Sequence, residues 1–134
     1  MFFASRKQVR FVYQAFKGLK IQSLFELHGK QEMNKRTAIY YQFVEKRSAV
    51  LLATDIIARG VDFPAVDWVV QFDCPEDLDS YIHRVGRTAR HKAKGNALLF
   101  LLPSEEKFAE QVAKKNIALK FLEASANKSL TITA

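Results

Sequence analysis

The sequence predicts an α/β fold in which a parallel sheet forms the middle of three layers, with helices on both faces. Segments of uninterrupted apolar residues alternate along the chain with segments in which apolar residues recur at helical spacing. Apolar segments without polar alternation are typical of strands that are buried on both faces, and therefore of parallel sheets. A strand–helix alternation favours connections that keep the strands parallel.

The first half of the chain supplies two helices and two strands to this alternation. Ser5 ends a short apolar segment and is one of the residue types favoured at helix N-caps. Apolar residues then recur at helical spacing as far as Gly18, which suits a helix end. The predicted elements are, in order, a helix after Ser5, a strand over 21–27, a helix over 30–46 and a strand over 49–53.

The second half of the chain repeats the alternation. A strand over 68–72 precedes a helix that begins near Asp77, and a buried strand over 97–102 follows. Ser104 is predicted to cap a last helix, because two glutamates follow it and acids suit a helix N-terminus.

The composition places the chain among single globular domains. Its 134 residues suit one hydrophobic core, and an apolar fraction of 49% disfavours disorder. The apolar segments are too short to span a bilayer, and the N-terminus lacks the layout of a signal peptide. Cys74 is the single cysteine, so an internal disulfide is excluded and a reducing compartment is favoured. The histidines, acids and cysteine lack the spacing of a metal site.

The charge balance points to a polyanionic partner. Lysine and arginine number 21 against 14 acids, which gives a net charge of +7. Such an excess fits nucleic acid or an anionic membrane surface. It fits a soluble basic domain without such a partner equally well, so charge alone leaves these alternatives open.

The segment "YIHRVGRTAR" concentrates this charge in the predicted third helix. It contains three arginines and a histidine, and the next acid along the chain is Glu105. On a continuous helix, His83, Arg87 and Arg90 fall opposite an apolar arc, with Arg84 at the edge of that arc.

Arginines without an acid partner suit an external phosphate. A solvated helix face usually mixes charges of both signs through pairs three or four residues apart. Arg87 and Arg90 repel each other unless an anion lies between them, and guanidinium groups match phosphate oxygens well. An arginine supplied to a transferring phosphoryl group is a recognised catalytic device. The alternative is a basic stripe on the surface, which describes most helices with this pattern.

Polar residues that directly follow the predicted strands mark a second candidate site, because ligands of open α/β sheets bind beyond the carboxyl ends of the strands. In "LLATDIIARGVDFP", Thr54 can bond a phosphate oxygen, Gly60 lets a backbone approach closely, and Asp62 can accept bonds from sugar hydroxyls. The alternative is an ordinary strand end with Asp55 as a cap. The four places that qualify are residues 5–7, 28–30, 54–55 and 73–77.

Several segments together resemble a known family. "ATDIIARGVDFP" and "YIHRVGRTAR" closely resemble two signature motifs of DEAD-box RNA helicases. "LHGKQEMNKR" resembles a third motif and "FFAS" the end of a fourth, and all four occur in the family's order. The span "VVQFDCPEDLDSYIHRVGRTAR" is similar to a subgroup that works in nucleolar ribosome assembly.

The resemblance implies a RecA-like fold and a position as the second, C-terminal domain of a two-domain helicase. Residues 1–134 are then a single domain, clipped at its first strand, and the Walker A loop and D-E-A-D acids belong to a first domain that is absent here. ATP is expected to bridge the two domains, with Mg²⁺ held mainly by the first. The expected partners are RNA, the first domain and ribosome-assembly proteins, in the nucleolus and not at a membrane.

The same resemblance assigns nucleotide roles to five residues. Arg87 and Arg90 are expected to reach the ATP phosphates across the cleft between the domains, with Arg90 as the arginine finger. His83 is expected to contact the acidic motif of the other domain. Asp62 is expected to bond the ribose, and Gly60 completes the same motif.

Further residues receive RNA-binding or supporting roles by resemblance. Thr54 and Arg36 are expected to hold RNA phosphates, Gly29 to let the RNA backbone pass close, and Ser5 to join these contacts. Arg84 is expected to brace the local network.

Three residues depart from the family's pattern. Met33 stands where Gln is usual, which removes a polar contact to RNA. Ala89 replaces a common Gly and Ile57 a common Ala, and both changes are expected to alter packing only mildly.

The resemblance predicts an ATP-dependent RNA helicase in which this domain supplies the arginine finger and RNA-backbone contacts, and in which the 134 residues alone are inactive. One alternative is a non-catalytic RecA-like module that binds RNA or protein, and another is a DNA translocase of the same superfamily. Intact Asp62, Arg87 and Arg90 disfavour the first alternative, and the spelling of the motifs disfavours the second.

Overall fold

Helices and strands alternate along the described part of the chain, as the sequence predicts. The computed structural model describes residues 1–57, 63–89 and 94–122. The strands are β1 (Leu24–Leu27), β2 (Val50–Ala53), β3 (Trp68–Gln71) and β4 (Asn96–Leu99). The helices are α1 (Arg6–Lys17), α2 (Met33–Glu45), α3 (Leu78–Val85) and α4 (Glu106–Ala113). Short 3₁₀ turns occupy Asp55–Ile57 and Pro103–Glu105.

The strands form one parallel sheet whose centre is the first segment of the chain. β1 pairs with β2, and β3 pairs with β4, both in parallel. Phe2 forms parallel bridges to Ala53 of β2 and to Gln71 of β3, so residues 1–3 join the two halves. Backbone hydrogen bonds of 2.7 and 2.9 Å run from this segment to β3 and to β2. The predicted parallel sheet is confirmed.

Helices α1 and α2 cover opposite faces of this sheet, because successive side chains of a strand point to opposite sides. On one side, Leu52 is buried with Phe3 and with Val9 of α1. On the other side, Leu51 and Ala53 are buried, and partly buried aromatic rings of α2 complete the cluster. The predicted three-layer arrangement follows directly from this alternation.

A third apolar cluster holds α3 and α4 together beside β4. Tyr81 of α3 is buried with Phe108 and Val112 of α4, and Leu99 of β4 packs against them. The Tyr81 and Phe108 rings meet edge to face with centroids 6.0 Å apart. This cluster anchors α3, the helix that carries the first part of the charged segment.

Two of the predicted helix starts are confirmed and one is wrong. Ser5 caps α1 through a reciprocal capping box. Asp77 caps α3, where its carboxylate accepts from a backbone N–H of the first turn at 2.7 Å. Ser104 does not cap α4, because it lies inside the 3₁₀ turn that precedes this helix.

The last described strand is shorter and more exposed than the sequence predicts. The apolar segment over 97–102 suggested a strand buried on both faces. In the structure β4 pairs with β3 and with no other strand of the described residues, and Phe100 and Leu102 are exposed. Apolar composition alone cannot distinguish a strand at the edge of a sheet from one at its centre.

Candidate functional site

Three of the predicted RNA-contacting residues share one edge of the sheet. Ser5 follows the segment over residues 1–3, Gly29 lies just beyond β1, and Thr54 follows β2. These strands are parallel neighbours, so their carboxyl ends meet at this edge. The backbone N of Thr54 donates to the carbonyl of Leu27 at 3.3 Å and ties two of the three strand ends together.

Ser5 and Gly29 also have structural tasks at this edge. The Ser5 hydroxyl accepts from the backbone N of Gln8 at 3.3 Å, which satisfies a free N–H of α1. A Cβ on Gly29 would lie 2.8 Å from Cδ1 of Ile56. Since that atom is the flexible end of a side chain, local packing favours glycine here without strictly requiring it.

Arg36 lies on α2, in the helix that starts from this edge. Its Nη2 contacts Sδ of Met33 at 3.7 Å. Its Nε is buried and has no hydrogen-bond partner among the described residues. Buried polar atoms are normally satisfied, and the described residues do not supply a partner for this nitrogen.

Arg84 is the most buried charged side chain of the structure's described part and is 1% exposed. Its Nε and Nη2 donate to the two carboxylate oxygens of Asp55 at 2.5 and 2.6 Å. Its Nη1 donates to the carbonyl of Asp73 at 3.0 Å. Arg84 therefore ties the ends of β2 and β3 to α3, which is the arrangement of a brace.

The prediction that the arginines of "YIHRVGRTAR" lack an acid partner is wrong for Arg84. Its partner Asp55 lies 29 residues earlier in the sequence, and only the pairing of strands brings the two together. The position of Asp55 directly after a buried strand was the signal that could have identified it.

Asp73 is a second acid whose task the sequence did not reveal. Its two carboxylate oxygens accept from the backbone N of Ala4 at 2.8 Å and from Nε2 of Gln8 at 3.0 Å. It therefore fixes the start of α1 against the end of β3. The predicted site over residues 73–77 is, at Asp73, a structural junction.

The helix that carries the charged segment ends earlier than the sequence predicts. α3 stops at Val85. Thr88 then bridges to Val66, upstream of β3, and the backbone N of Val66 donates to the carbonyl of Arg87 at 2.9 Å. The prediction of one continuous helix through Arg87 is therefore wrong, because the chain turns after Val85 to pair with this segment.

Arg87 consequently lies at the amino end of β3, because α3 runs back along the sheet from the carboxyl end of that strand. Its Nε donates to the carbonyl of His83 at 3.3 Å, and it takes part in further contacts. His83 itself is exposed on α3. Arg87 lies away from the edge that holds Thr54, whereas Arg84, the neighbour of His83 in sequence, reaches Asp55 beside Thr54.

Three predicted nucleotide-binding residues, Gly60, Asp62 and Arg90, lie outside the described residues. Their roles therefore stay predictions.

Burial shifts the pKa of two side chains near the strand ends. Burial lowers the pKa of His28, and three nearby cations lower it further while Glu26 opposes them. Burial raises the pKa of the Cys74 thiol, with a further upward contribution from Glu105. Cys74 is therefore protonated at neutral pH and a poor nucleophile.

Two of the residues predicted to contact the nucleotide or the other domain, Arg87 and His83, are among the described residues. Arg87 and His83 offer donors that suit phosphate oxygens. Within residues 1–57, 63–89 and 94–122, no group of three or more His, Cys, Asp or Glu side chains is placed to hold a metal ion. The helices of the same residues are too short or too polar to cross a lipid bilayer.

Comparison with known proteins adds a family. The model of the family described as "Helicase conserved C-terminal domain" matches residues 1–92. The chain is 53% identical over 133 residues to the ATP-dependent RNA helicase dbp4 of Schizosaccharomyces pombe, covering 98% of this chain and 18% of that protein. It is 50% identical over 133 residues to the human probable ATP-dependent RNA helicase DDX10, covering 98% of this chain and 15% of that protein. The chain thus spans less than a fifth of the length of these relatives.

Solved structures share the fold. Domain 2 of the DEAD-box helicase Mss116p, bound to an RNA duplex, has a TM-score of 0.81 at 37% identity, covering 93% of this chain and 51% of that one. Dbp5 of S. cerevisiae, bound to RNA and ADP BeF3, has a TM-score of 0.74 at 32% identity, covering 84% of this chain and 30% of that one. The predicted α/β fold of helicase C-terminal domains is confirmed.

Proposed function

The chain belongs to the family of helicase conserved C-terminal domains, among the DEAD-box RNA helicases, and we propose that it is the second domain of an ATP-dependent RNA helicase. In this proposal it supplies an arginine finger and RNA-backbone contacts for RNA-coupled ATP hydrolysis and duplex unwinding. The observation that carries the proposal is the course of α3. This helix starts at the edge that holds Thr54 and ends beside Arg87, so one rigid element links the RNA candidates to the nucleotide candidates.

On the RNA side, Thr54 and Arg36 hold phosphates of the strand. The support is the position of Thr54 at the carboxyl end of β2 and the buried Nε of Arg36, which has no partner among the described residues. Gly29 lets the RNA backbone pass close to β1. Ser5 joins these contacts while its hydroxyl also caps α1.

On the nucleotide side, Arg90 acts as the arginine finger and Arg87 contacts the phosphates beside it. His83 contacts the other domain. Asp62 bonds the ribose of the nucleotide, and Gly60 belongs to the same motif. ATP, when bound between the domains with Mg²⁺ held mainly by the first, supplies the phosphoryl group that passes to water. The residues of this chain orient the phosphoryl group and neutralise its negative charge. They reach it only when the two domains close.

The Arg84–Asp55 pair makes the two sides move together. Asp55 directly follows Thr54, and Arg84 lies in the last turn of α3, next to His83. Because the guanidinium holds both carboxylate oxygens, RNA bound at Thr54 and the arginine finger keep one relative geometry as the cleft closes.

The cellular role follows from the subgroup resemblance. We propose work in ribosome biogenesis in the nucleolus, with RNA and ribosome-assembly proteins as partners. Fluorescence imaging of the tagged full-length protein together with a nucleolar marker tests this assignment.

The test of the catalytic proposal is RNA-stimulated ATP hydrolysis by the full-length protein. Arg90→Ala should lower turnover by two orders of magnitude or more, as roughly expected for a lost arginine finger, which contributes about 10³–10⁵. Lys107→Ala, which removes an exposed cation of α4, serves as the control and should change turnover little. Near-normal turnover of Arg90→Ala would exclude the finger role.

The 134-residue chain alone should show no ATPase activity. Full-length protein that binds RNA without any RNA-stimulated hydrolysis would instead favour the non-catalytic binding module.

Arg36→Ala should weaken RNA binding more than ATP binding, and the reverse order would contradict its RNA role.

A further inference from the structure

A basic cleft lies between the N-termini of α1 and α2, beside the carboxyl end of β1. Its volume is about 390 Å³. We call it the basic cleft; the residues that line it are Arg6, Arg10, Glu26, His28, Lys30, Gln31, Glu32 and Lys35. Thr54 and Arg36 are not among its lining residues.

The charge around the basic cleft is unfavourable for the free domain. Arg6 and Arg10 are four residues apart on α1, where like charges destabilise a helix. Neither α1 nor α2 has an acid in its first turn, although the N-terminus of a helix carries a partial positive charge. α3 and α4 each have an acid there. Four cations and two helix N-termini therefore converge on one cleft, where Glu26 and the N-cap residue Glu32 compensate only part of the positive charge.

The start of α2 also leaves its backbone donors available. The N-cap residue Glu32 makes no side-chain capping bond, so the first N–H groups of α2 lack the usual partner. Helix N-termini with free N–H groups are ready-made sites for phosphate and other anions.

His28 provides an independent indication of a missing ligand. It is only 6% exposed, and its Nδ1 has no hydrogen-bond partner among the described residues. Its backbone N donates to Oε1 of Gln31 at 3.0 Å, which fixes the loop at the base of the cleft. Buried polar atoms without a partner are infrequent and call for a specific explanation.

Two acids in the basic cleft favour a nucleic-acid backbone over an acidic peptide as its anionic ligand. Glu26 and Glu32 line it together with the cations, and Oε2 of Glu26 is buried without a partner among the described residues. An acidic peptide offers only more carboxylates, which these glutamates repel. A ribose–phosphate backbone offers phosphate oxygens to the cations and 2′-hydroxyl donors to the carboxylates.

We propose that the basic cleft is an additional subsite for an RNA phosphate, separate from the path held by Thr54 and Arg36. The proposal rests on the function proposed above, since it assumes an RNA ligand. The cleft adjoins Gly29 and Ser5 in sequence through Lys30 and Arg6, so it extends the RNA-binding edge over the starts of α1 and α2. The phosphate belongs either to the strand bound at Thr54 or to its complementary strand.

The test uses the 134-residue chain and two fluorescein-labelled RNAs, a single strand and the same strand in a duplex with an overhang. Arg10→Gln combined with Lys35→Gln removes two exposed cations of the basic cleft. Lys107→Gln combined with Lys114→Gln removes the same charge from exposed positions in α4 and at its C-cap, and is the matched control. Fluorescence anisotropy measures the dissociation constant at several salt concentrations, and thermal unfolding verifies that each variant folds.

The cleft variant should bind roughly ten-fold more weakly than the control, since a hydrogen bond to a charged group is worth about 1.5–3 kcal/mol. The slope of log affinity against log salt should fall by about one for each phosphate that the variant no longer neutralises. If the cleft variant binds the single strand and the duplex equally weakly, the phosphate belongs to the strand bound at Thr54. If it binds only the duplex more weakly, the phosphate belongs to the complementary strand. The ring resonances of His28 should shift when RNA is added.

Other outcomes overturn the proposal in distinguishable ways. If the cleft variant binds RNA like the control while Thr54→Ala and Arg36→Ala weaken binding, the cleft is not a phosphate subsite and the proposed function stands. If the unmodified chain binds neither RNA, both proposals fail. If the chain prefers polyglutamate and the cleft variant loses only that binding, the cleft serves an acidic protein partner.

Discussion

Arg84 illustrates how one side chain can decide the local geometry of a site. Its guanidinium donates to both oxygens of Asp55 and to the carbonyl of Asp73, and its Cζ lies 5.4 Å from the centre of the Phe2 ring. Arginine suits this position because its planar fork satisfies several acceptors at once, which the single ammonium of lysine cannot do. The Arg84 side chain is 1% exposed and that of Asp55 is 35% exposed, so removing Asp55 would leave a buried guanidinium charge uncompensated.

Arg84→Ala should lower the free energy of unfolding by about 3 kcal/mol, the lower end of the cost of breaking a buried ion pair, because water reaches the Asp55 carboxylate, which is 35% exposed. Arg84→Lys should recover only part of this loss. Urea denaturation monitored by circular dichroism measures both variants, and Arg47→Ala, at an exposed position, is the control. A loss below about 1 kcal/mol, the value of an exposed ion pair, would show that the pair is not the brace inferred here.

Ala89 shows that a departure from the family pattern can act through the backbone. The sequence suggested a mild packing change where glycine is common. Ala89 has φ of 54°, a left-handed conformation that glycine adopts freely and alanine adopts at a cost of about 1–2 kcal/mol. The substitution therefore strains the turn that leads out of the charged segment.

At the scale of elements, the turn after α3 is fixed by its contacts and not by helix propensity. Thr88 donates through its hydroxyl to the carbonyl of Val66 at 2.5 Å, and Gly95 passes directly over Thr88 and Ala89. A Cβ on Gly95 would overlap Oγ1 of Thr88 and the backbone N of Ala89 and would lie 3.0 Å from Cα of Ala89. Two of these three atoms belong to the backbone and cannot move aside easily.

Gly95→Ala should therefore destabilise the domain by about 1–3 kcal/mol, as expected for overpacking. Gly18→Ala offers a matched control, because Gly18 has φ of −67° and a Cβ there would lie 3.4 Å from the carbonyl O of Ala15. That variant should be neutral or stabilising by roughly 0.4–1 kcal/mol. Thermal unfolding compares the two, and an equal effect at both glycines would contradict the close approach at Gly95.

At the scale of the whole molecule, the sheet separates two groups of candidate residues. The RNA candidates lie at the carboxyl ends of β1 and β2, and Arg87 lies at the amino end of β3. An eight-residue α3 spans this separation, about 12 Å at the rise of an α-helix. In the proposed function, RNA and the nucleotide therefore bind at different places on the domain and do not compete for space.

The pH dependence of stability is predicted for the 134-residue polypeptide, in which the free amino group of Met1 donates to the carbonyl of Leu51. Burial lowers the pKa of the Met1 amino group from its ordinary 8.0 to about 5, and burial lowers the pKa of His28. The unfolded chain binds more protons than the folded chain below the ordinary pKa of each group, so stability should fall as the pH drops from 8 to 5. The amino group alone contributes at most about 4 kcal/mol to this loss.

Urea denaturation between pH 8 and pH 5 measures this effect in a polypeptide whose first residue is Met1. One extra residue before Met1 turns the buried amine into an amide and should remove most of the dependence. His28→Gln should remove the part that develops as the pH falls below 6.5, the ordinary pKa of histidine. Stability that rises on acidification would contradict both assignments.

The sequence by itself determined the α/β class, the order of the elements, two helix caps and the family motifs. These features are local: apolar periodicity, capping residues and motif spelling depend on neighbours a few positions apart. The place of β4 beside β3 alone among the described strands, the end of α3 at Val85 and the partner of Arg84 were decided only by the tertiary structure. Each depends on contacts between distant segments, such as the 29 residues between Arg84 and Asp55, and the local sequence does not specify which distant segments meet.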